Sequence, residues 1–327
     1  MTKIVAIHSI RSSCASLTHP EVSHVRSRRR YALNHADAWR DFVGMFFLRF
    51  YTVLFVLVAA TTSSLAQNKD MSWKDVRSAG KGQLSILIYP QPGIIETNGS
   101  TFVGLAADIL EDFLEFVKDK YACEVTIRSY GEEKNFEKFL SRIKATTNVI
   151  GVSNVTITAA RLKEFKFTPP FLLNPVVFVT HKDVQTFTSI ESFQKKYESF
   201  SAEVVKGSTV DNYLQQLKRN FLPNLTIAYS TSGKQVLEKI AGNPHLFTVV
   251  DLTEYMHALK NKLPLRSQNI NVTTEIERLG FVMGMASDWD VVWKQFLTAS
   301  YTESPEYRKN VVGSLGEPFF RLINRTE

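Results

Sequence analysis

Cysteine is nearly absent, with only Cys14 and Cys123 in 327 residues. Cys14 falls in an N-terminal segment that we read as removed, so the remaining chain has one thiol and no intramolecular disulfide. Cys123, Val125 and Ile127 alternate with Glu124, Thr126 and Arg128. This puts the thiol on the apolar face of a strand, and with no neighbouring His–Cys pattern to activate it, it is predicted to be buried and inert. Long apolar runs are also missing. The uninterrupted apolar segment at 53–60 is far short of the roughly 20 residues that span a bilayer. Histidine is sparse beyond the N-terminal segment. His181, His245 and His257 make no metal-ligand spacing with one another, with cysteine or with paired acids. Nucleophile elbow, phosphate loop and dinucleotide fingerprint are all lacking. Neither a metal nor a cofactor is predicted.

A formal charge of +7 points to nucleic acid until it is located. Residues 1–66 hold eight Lys or Arg, among them Arg26, Arg28, Arg29 and Arg30, against Glu21, Asp37 and Asp41. A surplus of five belongs to this segment and only two to the rest, too little to drive binding to nucleic acid or a membrane surface. Residues 46–60 are almost wholly apolar, interrupted by Arg49, and Ser64, Leu65 and Ala66 set small residues where a signal peptidase cuts before Gln67. Met45 opens a short basic segment that runs directly into the apolar core. We read 45–66 as a cleaved signal peptide and 1–44 as an over-extended gene model. The product is expected to be periplasmic or secreted after cleavage near Ala66, and monomeric. Five Asn-x-Ser/Thr triplets, at Asn98, Asn154, Asn224, Asn271 and Asn324, are read as chance, because sugar on Asn154 would block the site that the next residues suggest.

From Gln83 the chain alternates strand and helix, which marks an α/β protein with largely parallel sheets. Strands are predicted at 84–89, 123–129, 149–152, 176–180, 202–205, 227–229 and 246–250. Helices are predicted at 104–121, around Phe136, Phe139, Leu140 and Ile143, and at 210–221 and 235–241. The strand around Glu277 to Met283 and a helix with Trp289, Val292, Trp293 and Phe296 follow.

The richest segment is 151–171. A short apolar strand ends in the hydroxyls of Thr156 and Thr158, and Arg161 stands three residues after a residue type that caps helices. A guanidinium beside backbone N–H groups suits a carboxylate, while a strand-to-helix turn with a surface arginine is the plain alternative. Farther along, Gly207, Ser208 and Thr209 lie between strand and helix, where hydroxyls and amides can cap the helix and face an anion. Asp251 ends a strand, as ligand contact or as the cap of a helix beginning near Thr253.

Thr156-x-Thr158-x-x-Arg161, with Phe165, Phe167, Pro170 and Phe171 behind it, resembles the motif of the type 2 periplasmic substrate-binding proteins, in particular the polar amino-acid binders that feed ABC importers. The resemblance covers Gln83 to about Phe320. It implies a two-lobed fold, each lobe a sheet flanked by helices, joined by a two-strand hinge. Lobe 1 would be 83–175 plus 279–327, and lobe 2 would be 176–278. It further implies that Arg161 holds an amino-acid carboxylate with help from Thr156, Ser208 and Thr209, and that Asp251 holds the ammonium. A small amino acid or analogue and a membrane ABC permease are the implied partners.

This sequence departs from the pattern in places. The first strand ends Tyr89-Pro-Gln-Pro-Gly93, without the usual Pro-Phe, so Tyr89 or Tyr130 would have to supply any stacking. Asn154 stands where a small residue is common, and its amide either meets the ligand or fills space. Gly104 and Asp108 keep half of a Gly-Phe-Asp-x-Asp pattern whose first acid is here Ala106. Cyclohexadienyl dehydratases also resemble these proteins, which makes Glu96 and Glu254 candidate acids of an enzymatic alternative. A ligand-sensing protein without a transport role is the third reading.

Overall fold

A computed structural model of the chain describes residues 70–99, 101–273 and 276–324. The predicted leader lies outside them. In chain order the first half contains α1 (Trp73–Ala79), β1 (Lys81–Ile88), the hairpin β2 (Glu96–Asn98) and β3 (Thr101–Val103), α2 (Leu105–Tyr121), β4 (Glu124–Glu132), α3 (Phe136–Lys144), β5 (Val149–Thr156), β6 (Phe165–Phe167) and β7 (Leu172–Asn174). Then follow β8 (Val176–His181), α4 (Ile190–Gln194), β9 (Ser201–Val205), α5 (Thr209–Asn220), β10 (Ile227–Ser230), α6 (Gly233–Gly242), β11 (Leu246–Asp251), α7 (Leu252–Lys260), β12 (Leu265–Gln268) and β13 (Glu277–Gly284). Helices α8 (Asp290–Phe296), α9 (Ala299–Thr302), α10 (Pro305–Leu315) and α11 (Glu317–Ile323) close the chain. Among the described residues no helix is long and apolar enough to cross a membrane.

The strands form two main sheets. One has the order β4-β1-β5-β13-β6, with β7 also paired to β13, and the other β10-β9-β11-β8-β12. The expectation of largely parallel sheets holds for one side of each. Strands β4, β1 and β5 run parallel, as do β10, β9 and β11, whereas β13 is antiparallel to β5, β6 and β7, and β8 is antiparallel to β11 and β12. The difference follows from connectivity. A strand returning from the other lobe, or entering it without a crossover helix, arrives pointing the opposite way.

The buried apolar residues form two clusters, one centred on the first sheet and continuing into β8, β9 and β11 of the second, the other confined to the second sheet and the segments around it. Helix α2 buries Leu105, Ile109, Leu110, Phe113 and Val117 along one face, as the 3.6-residue period requires. Phe113 stacks on Trp293 of α8 at 3.8 Å, so the C-terminal helices are tied to the first sheet. In the second core Phe178 of β8 stacks on Phe247 of β11 at 4.8 Å, and Phe193 of α4 meets both edge-on. Cys123 is buried just before β4.

Two crossings connect the sheets, and their register places them side by side. The first passes from β7 through Pro175 to β8, and the second enters β13 at Glu277. Glu277 pairs with Asn174, while Asp251 pairs with Val176. Two carboxylates from distant parts of the sequence thus flank Pro175.

Candidate functional site

Parallel strands of an α/β sheet open at their carboxyl ends, and in both sheets those ends face one cleft. Tyr89, just after β1, Asn154 and Thr156 of β5, and Arg161 come from the first lobe. Ser208, Thr209 and Asp251 come from the second. All seven line one cavity of about 50 Å³, together with Gln91, Phe136, Val205, Val210 and Glu254.

Arg161 is seated by the chain immediately before it. Its amide donates to Thr158 Oγ1 at 3.2 Å as the chain turns into a single 3-10 turn over Arg161–Lys163. Its Nη1 donates to the Thr156 carbonyl at 2.9 Å, and Nη2 reaches across to the Gly207 carbonyl at 3.3 Å. The guanidinium lies 5.3 Å from the centre of the Phe136 ring, a cation–π distance. Burial lowers the Arg161 pKa, opposed by the attraction of Glu277 and Asp251.

Asp251 occupies the N-cap position of α7, yet its side chain makes no cap hydrogen bond. It turns instead into the cleft and accepts from Asn154 Nδ2 of the other lobe at 2.5 Å. Asp is a strong N-cap residue, so this carboxylate forgoes a local bond for a contact 97 residues away. Withdrawal from water holds its pKa well above the usual range, with Glu277 and Glu254 adding repulsion; the Asn154 bond and Arg161 pull the other way.

Two hydroxyls expected to meet an anion are committed elsewhere. Ser208 Oγ donates to the Val205 carbonyl at 2.7 Å and accepts from the Asp211 amide at 3.2 Å, which makes it the cap of α5. Thr156 Oγ1 donates to Glu277 Oε2 at 2.7 Å and lies 3.2 Å from Thr209 Oγ1. A hydroxyl has one proton, so Thr209 is the donor of that cross-lobe pair. Tyr89 is buried, its ring edge-on to Phe136 at 5.3 Å and its hydroxyl donating to the Thr231 carbonyl at 3.4 Å. Tyr130 does not line the cavity. Its hydroxyl donates to the Asp70 carboxylate at 2.5 Å and Arg128 covers its ring, a structural post at the start of the described chain. Asp108 likewise serves the scaffold, accepting from Ser314 Oγ at 3.0 Å.

Of the two acids weighed for catalysis, only Glu254 reaches the cleft cavity. Glu96 sits on β2 and lines a neighbouring cavity of about 320 Å³ instead. Glu254 is nine-tenths buried. Burial pushes its pKa up to about 7; Gln91 lowers it by a side-chain hydrogen bond, and Glu277 raises it. The folded state therefore keeps a proton that the unfolded chain releases. Folding stability is expected to be greatest below the ordinary value of 4.5 and to fall as pH rises to about 7. The slope from this group is at most about 1.4 kcal/mol per pH unit. Urea titrations across that window check the sign, and a Glu254→Gln variant should remove this part of the slope.

Sequence reasoning passed over Glu277, Gln91 and Phe136 as site residues. Glu277 is buried on β13, in phase with the buried Leu279 and Phe281. A carboxylate inside an apolar alternation was the signal that could have found it. Gln91 and Phe136 carry no such mark, because only the fold brings their loop and helix to the cleft.

No family model matches the chain, and no curated protein matches it. Solved structures do. A mutant of an arginine-binding protein from T. maritima is 16% identical, with 76% of this chain and 100% of that chain covered and a TM-score of 0.58. A substrate-binding protein of an amino acid ABC transporter from Streptococcus pneumoniae, bound to L-arginine, is 15% identical over 74% of this chain and 97% of that one, with a TM-score of 0.56. A Streptococcus mutans structure that bears on glutathione import through GshT and the cystine ABC importer TcyBC is 15% identical over 72% and 95%, with a TM-score of 0.60. The likeness establishes the fold, that of the two-lobed type 2 periplasmic binding proteins.

Proposed function

We propose that this chain captures an α-amino acid or close analogue between its lobes and delivers it to an ABC-type permease. The observation that carries the reading is the position of Asp251. It stands at a helix start without capping it, and its carboxylate lines the same cavity as the Arg161 guanidinium. An acidic group and a guanidinium in one closed cleft complement the two ends of a zwitterion. Arg161 binds the carboxylate and Asp251 the ammonium. Asn154 orients Asp251, and the Thr156–Thr209 contact joins the lobes. Tyr89 and Phe136 form the apolar wall.

The cleft is bridged by contacts between the lobes, Asn154 with Asp251 and Arg161 with the Gly207 carbonyl. An amino acid can enter only if the lobes part. The two adjacent crossings at Pro175 and before Glu277 then serve as the hinge, with the first sheet and its helices moving against the second. Ligand favours the closed form because groups of both lobes reach it only there. Capture outside the cytoplasm, after removal of the leader near Ala66, fits this role. The protein acts as a binding protein without catalysis.

A thermal-shift screen of the purified chain against the twenty amino acids, keto acids and prephenate-like compounds tests the reading. A ligand at 100 times its Kd stabilises the native state by about 2.7 kcal/mol, which raises the melting temperature by roughly 5–10 °C in a domain of this size. Absence of a shift with every amino acid would remove the proposal, and conversion of a prephenate-like compound would replace it with the enzymatic one.

A further inference from the structure

We infer that the ligand is a cationic amino acid, and that Glu254 and Gln91 form the subsite for the charged end of its side chain. This rests on the assignment of Arg161 and Asp251 to the amino-acid head. Glu254 lies one turn after Asp251 on α7, on the same side of the helix, and lines both the cleft cavity and the adjoining cavity of about 320 Å³. An arm extending from a head held at Asp251 passes it. Gln91 follows β1 and is 6% exposed. Its side chain is hydrogen-bonded to Glu254, and its carbonyl Oε1 is buried without any hydrogen-bond partner. The cleft therefore presents a carboxylate and an unsatisfied carbonyl side by side, both acceptors. A group with several N–H donors and a positive charge satisfies the two together, as a guanidinium or an ammonium does.

Charge balance leads to the same class. Asp251, Glu254 and Glu277 interact with one another around a single guanidinium. The head of an amino acid is neutral overall and leaves that imbalance unchanged. A neutral side chain would leave the proton on Glu254, a cationic one would take that proton's place, and an acidic one would add repulsion. Lys234, the cation that lines the adjoining cavity, is paired with Glu238 at 3.8 Å. A metal ion is a poor alternative, since among the described residues no three His, Cys, Asp or Glu side chains converge to hold one. Glu254 also packs against the start of α6. A Cβ on Gly233 would stand 2.1 Å from Glu254 Oε1, so the carboxylate is held in place by contact. That contact explains its position and does not supply the donor that Gln91 Oε1 lacks.

The test is isothermal titration of the full chain with L-arginine and L-lysine against L-citrulline, an uncharged isostere of arginine, and L-norleucine, which is lysine without its terminal nitrogen. The wild type should prefer the cationic member by at least about 30-fold, the lower end of the loss for an unpaired buried charge. Glu254→Gln should reduce that preference to about threefold or less, mainly by weakening the cationic ligands. Gln91→Leu should weaken cationic ligands by about tenfold and carries the test if Glu254→Gln lowers the melting temperature. Binding of a cation should also drive a proton off Glu254 at slightly acid pH, read as a heat that varies with buffer ionisation enthalpy. Equal affinity for citrulline and arginine, or a preference untouched in both variants, overturns the inference while leaving the amino-acid reading intact. Failure of every amino acid to bind overturns both.

Discussion

Replacing Arg161 by alanine is expected to weaken amino-acid binding by about 2–5 kcal/mol, the range for truncating one member of a hydrogen-bonded, desolvated charge pair. That corresponds to a loss between about 30-fold and several thousand-fold. The guanidinium is held by the Thr156 and Gly207 carbonyls and by the Phe136 ring. It is therefore preorganised, and little ordering is left for the ligand to cause. Neighbouring donors are already engaged. The Ser208 hydroxyl caps α5, the Thr156 proton goes to Glu277, and the Gly207 amide donates to Asp211 Oδ2 at 3.3 Å. Arg161→Lys should recover only part of the loss, because an ammonium cannot meet a carboxylate through two parallel N–H bonds while reaching both carbonyls. Titration calorimetry measures both variants. An unchanged Kd in Arg161→Ala would end the carboxylate assignment.

That Arg161 could be singled out from sequence, whereas its surroundings could not, has a physical basis. The cradle is local. A strand of apolar residues, two hydroxyls and a turn fix Arg161 within a dozen residues, so spacing alone locates it. Asp251 was legible as the end of an apolar strand, but its choice between cap and cleft was not. That choice depends on Asn154 of the other lobe. The same holds for Ser208, where sequence signalled a cap and a donor at once and the hydrogen bonds use both capacities for the cap. Strands β6, β7 and β12 have three or four residues each, too few for a period to be read. Since β6 and β7 pair with β13, their absence from the sequence reading also hid the antiparallel half of the first sheet. Glu277 shows the limit most clearly. It reaches the site through its register with Asn174, about a hundred residues earlier in the chain.

Asp251→Asn is expected to separate function from stability, because the two should change in opposite directions. Binding should fall by about 2–5 kcal/mol, since an amide is a poor partner for an ammonium that the cleft removes from water. Stability without ligand should rise. In the folded protein the Asp251 carboxylate is withdrawn from water and repelled by Glu277 and Glu254, so its pKa lies above that of the unfolded chain. Such a group contributes fully to stability only below its unfolded value and loses that contribution as pH rises through the folded one. The asparagine carries no charge in either state and keeps an oxygen for Asn154 Nδ2. The gain should therefore be small in acid and grow toward neutral and alkaline pH. It should reach the order of 1 kcal/mol, the scale of gains found when a functional site is relieved of strain. Glu254 should respond as well, its pKa moving down once one like charge has gone. Urea titrations of wild type and variant across this pH range, alongside calorimetry with the ligand, read both effects. If the variant is less stable at every pH, Asp251 serves the fold. Higher stability together with lost binding identifies it as a charge kept for its ligand.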